Sequence, residues 1–174
     1  MTVIVATRTQ MGAYRMVSDG GEVLYFTKKV LRIRDCLVGV SGDVNNTTKF
    51  LAWFRKECPS DEVGMTLDDD KTFAGLVLTA KGELLYYADC VEPDVLDDKF
   101  AAIGAGRSYA VSAIDLGKSV AEAVQHAIKW CPGTCGGKID VLSLVKRERG
   151  PKARPSPPAD IVIPPAVLSY EPTT

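Results

Sequence analysis

The sequence has little that would tie it to a charged polymer, a membrane or a metal. Its 174 residues carry 21 lysines and arginines against 22 aspartates and glutamates, a formal net charge of −1. That near-balance gives a nucleic-acid partner no electrostatic support at chain level. No apolar run approaches the roughly 20 residues needed to cross a bilayer. Residues 1–6 are apolar, but Arg8 follows and no small-residue cleavage pattern is present, so no signal peptide is expected. The expectation is a cytoplasmic protein with neither nucleic acid nor membrane among its partners. Histidine is all but missing, His126 being the single one. Cys131 and Cys135 lie near it, a spacing that invites a metal reading. One histidine, no second cysteine pair, and Pro132 and Gly133 between the thiols argue against it, so neither metal nor cofactor is expected. Cys36, Cys58, Cys90, Cys131 and Cys135 are odd in number and scattered, which suits free thiols in a reducing compartment.

What is present is an ordinary globular balance, 46% hydrophobic and 25% charged, in a chain long enough for one domain with a sizeable core. Residues 1–145 read as one patterned domain. Residues 146–174 read as a proline-rich, partly basic tail, with Lys146, Arg147, Arg149, Lys152 and Arg154 at its start. Val3-Ile4-Val5-Ala6-Thr7 is a β-branched run that predicts a strand. A turn at Gln10-Met11-Gly12 and a strand over 13–17 follow, then a turn cluster at Ser18-Asp19-Gly20-Gly21. Strands are predicted over 23–26, 30–33 and 36–40, the last ended by Ser41-Gly42. Asp43 is the expected N-cap of a helix over 44–56. Phe50, Leu51 and Phe54 share one face of that helix. Trp53 beside them is more apolar surface than one core stripe needs, and is expected to meet a neighbouring subunit. Strands over 73–79 and 83–88 are joined by Ala80-Lys81-Gly82, and a short strand over 100–103 runs into Gly104-Ala105-Gly106. A helix over 108–116 ends at Gly117. Ser119-Val120-Ala121-Glu122 is a capping box opening a second helix to residue 130, and a last strand covers 139–145. The order of strands, helix, strands, two helices and strand predicts an α+β fold with antiparallel sheets.

Three residues bear on chemistry. Thr2, once Met1 is removed, would carry a hydroxyl and a free α-amine on one residue, a self-contained nucleophile and base. Such an amine has an ordinary pKa near ~7.7–8.0, so it can be neutral near pH 7. Asp19 in its turn ordinarily caps or closes that turn. Lys29 precedes the alternating Val30-Leu31-Arg32-Ile33; solvation is its ordinary fate, but held near Asp19 it could lower the pKa of the threonine hydroxyl.

The order and spacing of these landmarks resemble the proteasome β-subunit family of N-terminal threonine peptidases, most nearly in the style of the bacterial proteasome-like peptidase HslV. The Thr2-Val3-Ile4-Val5 start, the Asp19 turn, Lys29-Val30, the strand ending in Ser41-Gly42 before a helix, and Ile103-Gly104-Ala105-Gly106 before Tyr109-Ala110 all follow its order. Gly136-Gly137-Lys138-Ile139-Asp140-Val141 is similar to its closing strand, so the likeness covers about residues 2–145. The resemblance implies a four-layer αββα sandwich of the N-terminal-nucleophile hydrolase type. It implies Thr2 as nucleophile with its amine as base, Lys29 as the cation near the hydroxyl, and Asp19 as the acid orienting Lys29. Gly42 would supply the oxyanion-hole N–H, and Val40 and Val44 would line the first specificity pocket. Protein or peptide substrates, homo-oligomeric stacked rings and an ATP-dependent unfoldase partner are implied in the same way. Three positions depart from the pattern: Ala105 stands where a serine usually assists the threonine amine, and Pro132 and Cys135 stand where many members have an aspartate and a second serine. The competing readings are a non-catalytic structural ring subunit and an N-terminal-nucleophile amidohydrolase acting on a small amide.

Overall fold

A computed structural model describes residues 2–14, 17–19, 22–25, 27–56, 72–88, 92–131 and 137–144, with backbone alone for 17–19 and 22–25. The chain divides into the units Met1–Leu144 and Val145–Thr174, the second wholly outside the described residues. In chain order the elements are β1 (Val3–Thr7), β2 (Gln10–Tyr14), β3 (Val17–Asp19), β4 (Glu22–Tyr25), β5 (Val30–Ile33), β6 (Cys36–Gly42) and α1 (Val44–Arg55). They continue with β7 (Phe73–Leu78), β8 (Leu84–Tyr87), β9 (Asp94–Leu96), β10 (Phe100–Gly104), α2 (Arg107–Asp115), α3 (Val120–Trp130) and β11 (Ile139–Ser143).

Among the described residues these form an α+β fold of three helices and two larger antiparallel sheets, ordered β10-β1-β2-β11 and β5-β6-β7-β8-β9, beside the hairpin β3-β4. Alternation along each strand sends successive side chains to opposite faces. Val3 and Val5 of β1 join Tyr14 and the α2 and α3 residues Ala110, Ala113, Val120, Ala123, Val124 and Ala127 in one apolar cluster. Ile4 and Ala6 join Met11, Leu37, Leu76, Leu78 and Leu84, residues drawn from both sheets, in a second. Val38, Val40 and Val77 pack with Phe50, Trp53 and Phe54 of α1 in a third.

Local signals place the helices. Asp43 caps α1 by accepting from Asn45 N at 2.8 Å and Asn46 N at 3.3 Å. At α3, Ser119 Oγ accepts from Glu122 N at 3.3 Å while Glu122 Oε2 accepts from Ser119 N at 2.8 Å, the predicted capping box.

Several expectations need correction. Residues 10–12 are not a turn but part of β2; the chain reverses at Arg8-Thr9, where Thr7 Oγ1 accepts from Gln10 N at 3.2 Å. Gly12 reads as a turn residue in sequence, yet it sits under α3, and a Cβ there would lie 2.6 Å from Val120 Cγ1. Trp53 is not left on the open surface. It is 8% exposed, with its ring 5.8 Å from Phe50 and 6.1 Å from Tyr87, because α1 lays a wide aromatic face on the second sheet. Strand β9, flanked by Pro93 and acidic residues, gave no sequence signal.

Candidate active site

The site is built where strand ends gather. Thr2 immediately precedes β1, which lies inside its sheet between β10 and β2 and so fixes the position of its first residue. Gly104 ends β10, Ser41 and Gly42 end β6, Phe73 begins β7, and Lys29 immediately precedes β5. These residues line one cavity of about 790 Å³, together with Val44, Tyr86, Ala105 and Arg107 among others.

Thr2 is 4% exposed. The backbone of Gly104 crosses it closely: at φ +92°, a Cβ on Gly104 would meet the Thr2 carbonyl oxygen at 2.1 Å and Ser41 Oγ at 3.2 Å. Only glycine suits that position, both for its left-handed φ and for the collision. Lys29 is half-buried and lines the cavity, while Lys28 is exposed and is not part of the lining. Burial holds the Lys29 ammonium below the ordinary lysine pKa by stripping away water from its charged form. Its carbonyl accepts from Val40 N at 3.4 Å, which ties the segment before β5 to β6.

Gly42 lines the cavity at φ +118°, and a Cβ would lie 2.2 Å from Thr72 O. The glycine was expected for close substrate approach; the backbone of residues 72–73 already demands it. Val44, 48% exposed, is among the residues lining the cavity. Val40 is not. It is 5% exposed in the cluster under α1, because strand alternation turns Ser41, not Val40, to the cavity. Asp19 is the last residue of β3, paired with Glu22, and its side chain lies outside the described residues, as do Pro132 and Cys135. Ala105 lines the cavity and brings no hydroxyl to it; Ser108 is exposed on α2 and is not part of the lining.

Sequence reading missed Ser41, Tyr86 and Arg107. The signal for Ser41 was present: Leu37, Gly39 and Ser41 share a parity opposite to Val38 and Val40, and only the assignment of faces was lacking. Arg107 and Tyr86 enter through tertiary packing alone.

Among the described residues, two larger sheets of antiparallel strands, three helices and a threonine at the head of a central strand make an α+β fold. By fold the chain is HslV-like. It superposes on HslV from Trypanosoma brucei with a TM-score of 0.64 at 18% identity, covering 82% of this chain and 98% of that one. It superposes on BPH from Thiobacillus denitrificans with a TM-score of 0.59 at 16% identity, and on BPH in complex with epoxomicin with a TM-score of 0.60 at 16% identity, each covering 83% of this chain and 98% of that one. The sequence matches no protein-family model and no curated protein.

Proposed function

We propose that the chain is a proteasome β-type subunit, a threonine endopeptidase whose nucleophile is Thr2 after removal of Met1. The observation that carries this is the gathering of Thr2, Lys29 and Gly42 on one cavity at the ends of strands from both sheets. The HslV and BPH folds support it, and so does the epoxomicin held by BPH. A four-layer αββα order, with α2 and α3 outside the first sheet and α1 outside the second, is supported by the three apolar clusters.

In this reading the Thr2 hydroxyl adds to the scissile carbonyl as its proton passes to the α-amine of the same residue. Lys29, oriented by Asp19, favours the developing alkoxide through its positive charge, and the Gly42 N–H receives the oxyanion. Collapse of the tetrahedral adduct expels the leaving amine, which takes the proton back. Water, deprotonated by the same α-amine, then releases the acyl group and regenerates the hydroxyl. Val44 contacts the substrate side chain. Protein or peptide substrates, stacked homo-oligomeric rings and an ATP-dependent unfoldase belong to the same proposal.

Ala105 favours one second reading, a ring subunit that has lost catalysis. Peptide hydrolysis by the processed protein and by Thr2→Ala separates the two. The peptidase reading expects Thr2→Ala to lose activity on the order of 10⁴-fold or more, with its assembly unchanged. Equal turnover by both proteins, or none by either, contradicts it.

A further inference from the structure

Ser41 is a hydroxyl set among apolar neighbours. Along β6 the residues of its parity, Leu37 and Gly39, face the interior between the sheets: Leu37 belongs to the cluster drawn from both, and a Cβ on Gly39 would lie 2.6 Å from Ile4 Cγ2. Ser41 is 8% exposed, and the space it meets is the cavity it shares with Thr2 and Lys29. Among the described residues nothing pairs with its hydroxyl, which opens onto the cavity, where a ligand or reacting group can reach it. Its Oγ and the Thr2 carbonyl oxygen flank the same point, the place a Cβ on Gly104 would occupy, at 3.2 Å and 2.1 Å. The Thr2 carbonyl and the Thr2 nitrogen flank one Cα. Ser41 therefore sits beside the residue whose amine must act as base. The other serine near this end of the chain fold, Ser108, is exposed and outside the lining, and Ala105 carries no hydroxyl.

We infer that Ser41 is the positioning residue for the Thr2 α-amine. Its Oγ accepts a hydrogen bond from an amine N–H, aims the nitrogen lone pair at Thr2 Oγ1, and stabilises the ammonium that forms when Oγ1 gives up its proton. This rests on the threonine-peptidase reading. A hydrogen bond accepted from the ammonium favours the charged form and holds the amine pKa up. The titratable or charged side chains of the described lining are Lys29 before β5, Tyr86 on β8 and Arg107 at the start of α2. The two cations pull the amine pKa down, and they stay in place when Ser41 is changed.

The test is a set of variants of the full, processed chain: Ser41→Ala, Ser41→Thr and Ser41→Ala combined with Ala105→Ser. Two readouts are taken, the pH profile of peptide hydrolysis and the pH dependence of Thr2 α-amine acetylation by acetic anhydride, followed by peptide mass. Ser41→Ala should lower kcat about 10–100-fold with KM little changed, and should move both the acid limb and the amine titration to lower pH. Ser41→Thr should keep both near wild type, and Ala105→Ser should recover part of kcat by returning a hydroxyl to the cavity. An amine titration that does not move in Ser41→Ala overturns the inference, whatever happens to activity, since a packing role would leave it in place. A shifted titration in a protein that hydrolyses no peptide upholds the Ser41 contact and overturns the peptidase reading instead.

Discussion

Gly104 and Lys29 show how much of the site is decided by single residues. A methyl group at Gly104 would have to occupy space held by the Thr2 carbonyl, on a backbone at φ +92°. Gly104→Ala is expected to destabilise by about 3 kcal/mol, from left-handed strain of about 1–2 kcal/mol plus the backbone collision, and to displace Thr2. Thermal unfolding and peptide turnover should therefore both fall, whereas a substitution that merely loosened the site would leave Tm unchanged. Lys29 works in the opposite sense. Its folded pKa lies below its unfolded value, so the folded chain binds fewer protons. The cost of burying its charge is fully present below the folded pKa, is relieved as pH rises through it, and is gone above the unfolded value. Lys29→Met should thus raise Tm at neutral pH by an amount that shrinks as the pH approaches the ordinary lysine pKa. It should also lower peptide turnover on the order of 10²–10³-fold. A Lys29→Met protein less stable at pH 7 than wild type would mean that the Asp19 carboxylate of the proposed site offsets more than the cost of burying the Lys29 ammonium.

At the scale of elements, the sequence was most legible where a local signal and a burial pattern agreed. The Asp43 cap and the Ser119-Glu122 box set the starts of α1 and α3, and the Val3-Ile4-Val5 run marked β1 because it is buried on both faces. Legibility failed where a residue's reason was tertiary. Gly12 is small for Val120, Trp53 is large for the sheet beneath α1, and neither need is visible along the chain. The site divides in the same way. Thr2 and Lys29 were candidates by their own chemistry, and Gly42 and Val44 came only with the family resemblance. Val40 was named for a face it does not show, and Ser41 was missed because a strand's parity is plain in sequence while its inward side is not. Phe50, fully buried with its ring centroid 5.0 Å from Phe73 and 5.1 Å from Tyr87, is the centre of α1's contact with the second sheet. Phe50→Ala should cost about 3–5 kcal/mol in denaturant unfolding, with loss of α1 packing. Ser119→Ala, which removes a cap and no packing, should cost only about 1 kcal/mol.

For the whole molecule, no helix among the described residues is long and apolar enough to cross a membrane. The helical face that the sequence offered for subunit contact, with Trp53 on it, is buried against the chain's own sheet. The large apolar side chains left exposed on or beside helices include Tyr109 and Val111 on α2, Leu116 at its C-cap, Trp130 on α3 and Val44 at the start of α1. If rings form, α2 and α3 are where the described residues offer apolar contact, and Leu116→Asp with Trp130→Asp should lower the sedimentation coefficient of the assembly without unfolding it. A wild-type protein that sediments as an 18.8 kDa monomer while cleaving peptides would contradict enclosure in rings and leave the site assignment standing.

The central claim is that Thr2, freed of Met1, is the nucleophile. Its most direct measurement is the intact mass of the purified protein before and after incubation with epoxomicin, with the adduct mapped by peptide mass. The account predicts loss of Met1, one adduct per chain on Thr2, and none on Thr2→Ala. Full peptide turnover by chains that retain Met1, or an adduct on any other residue, would contradict it.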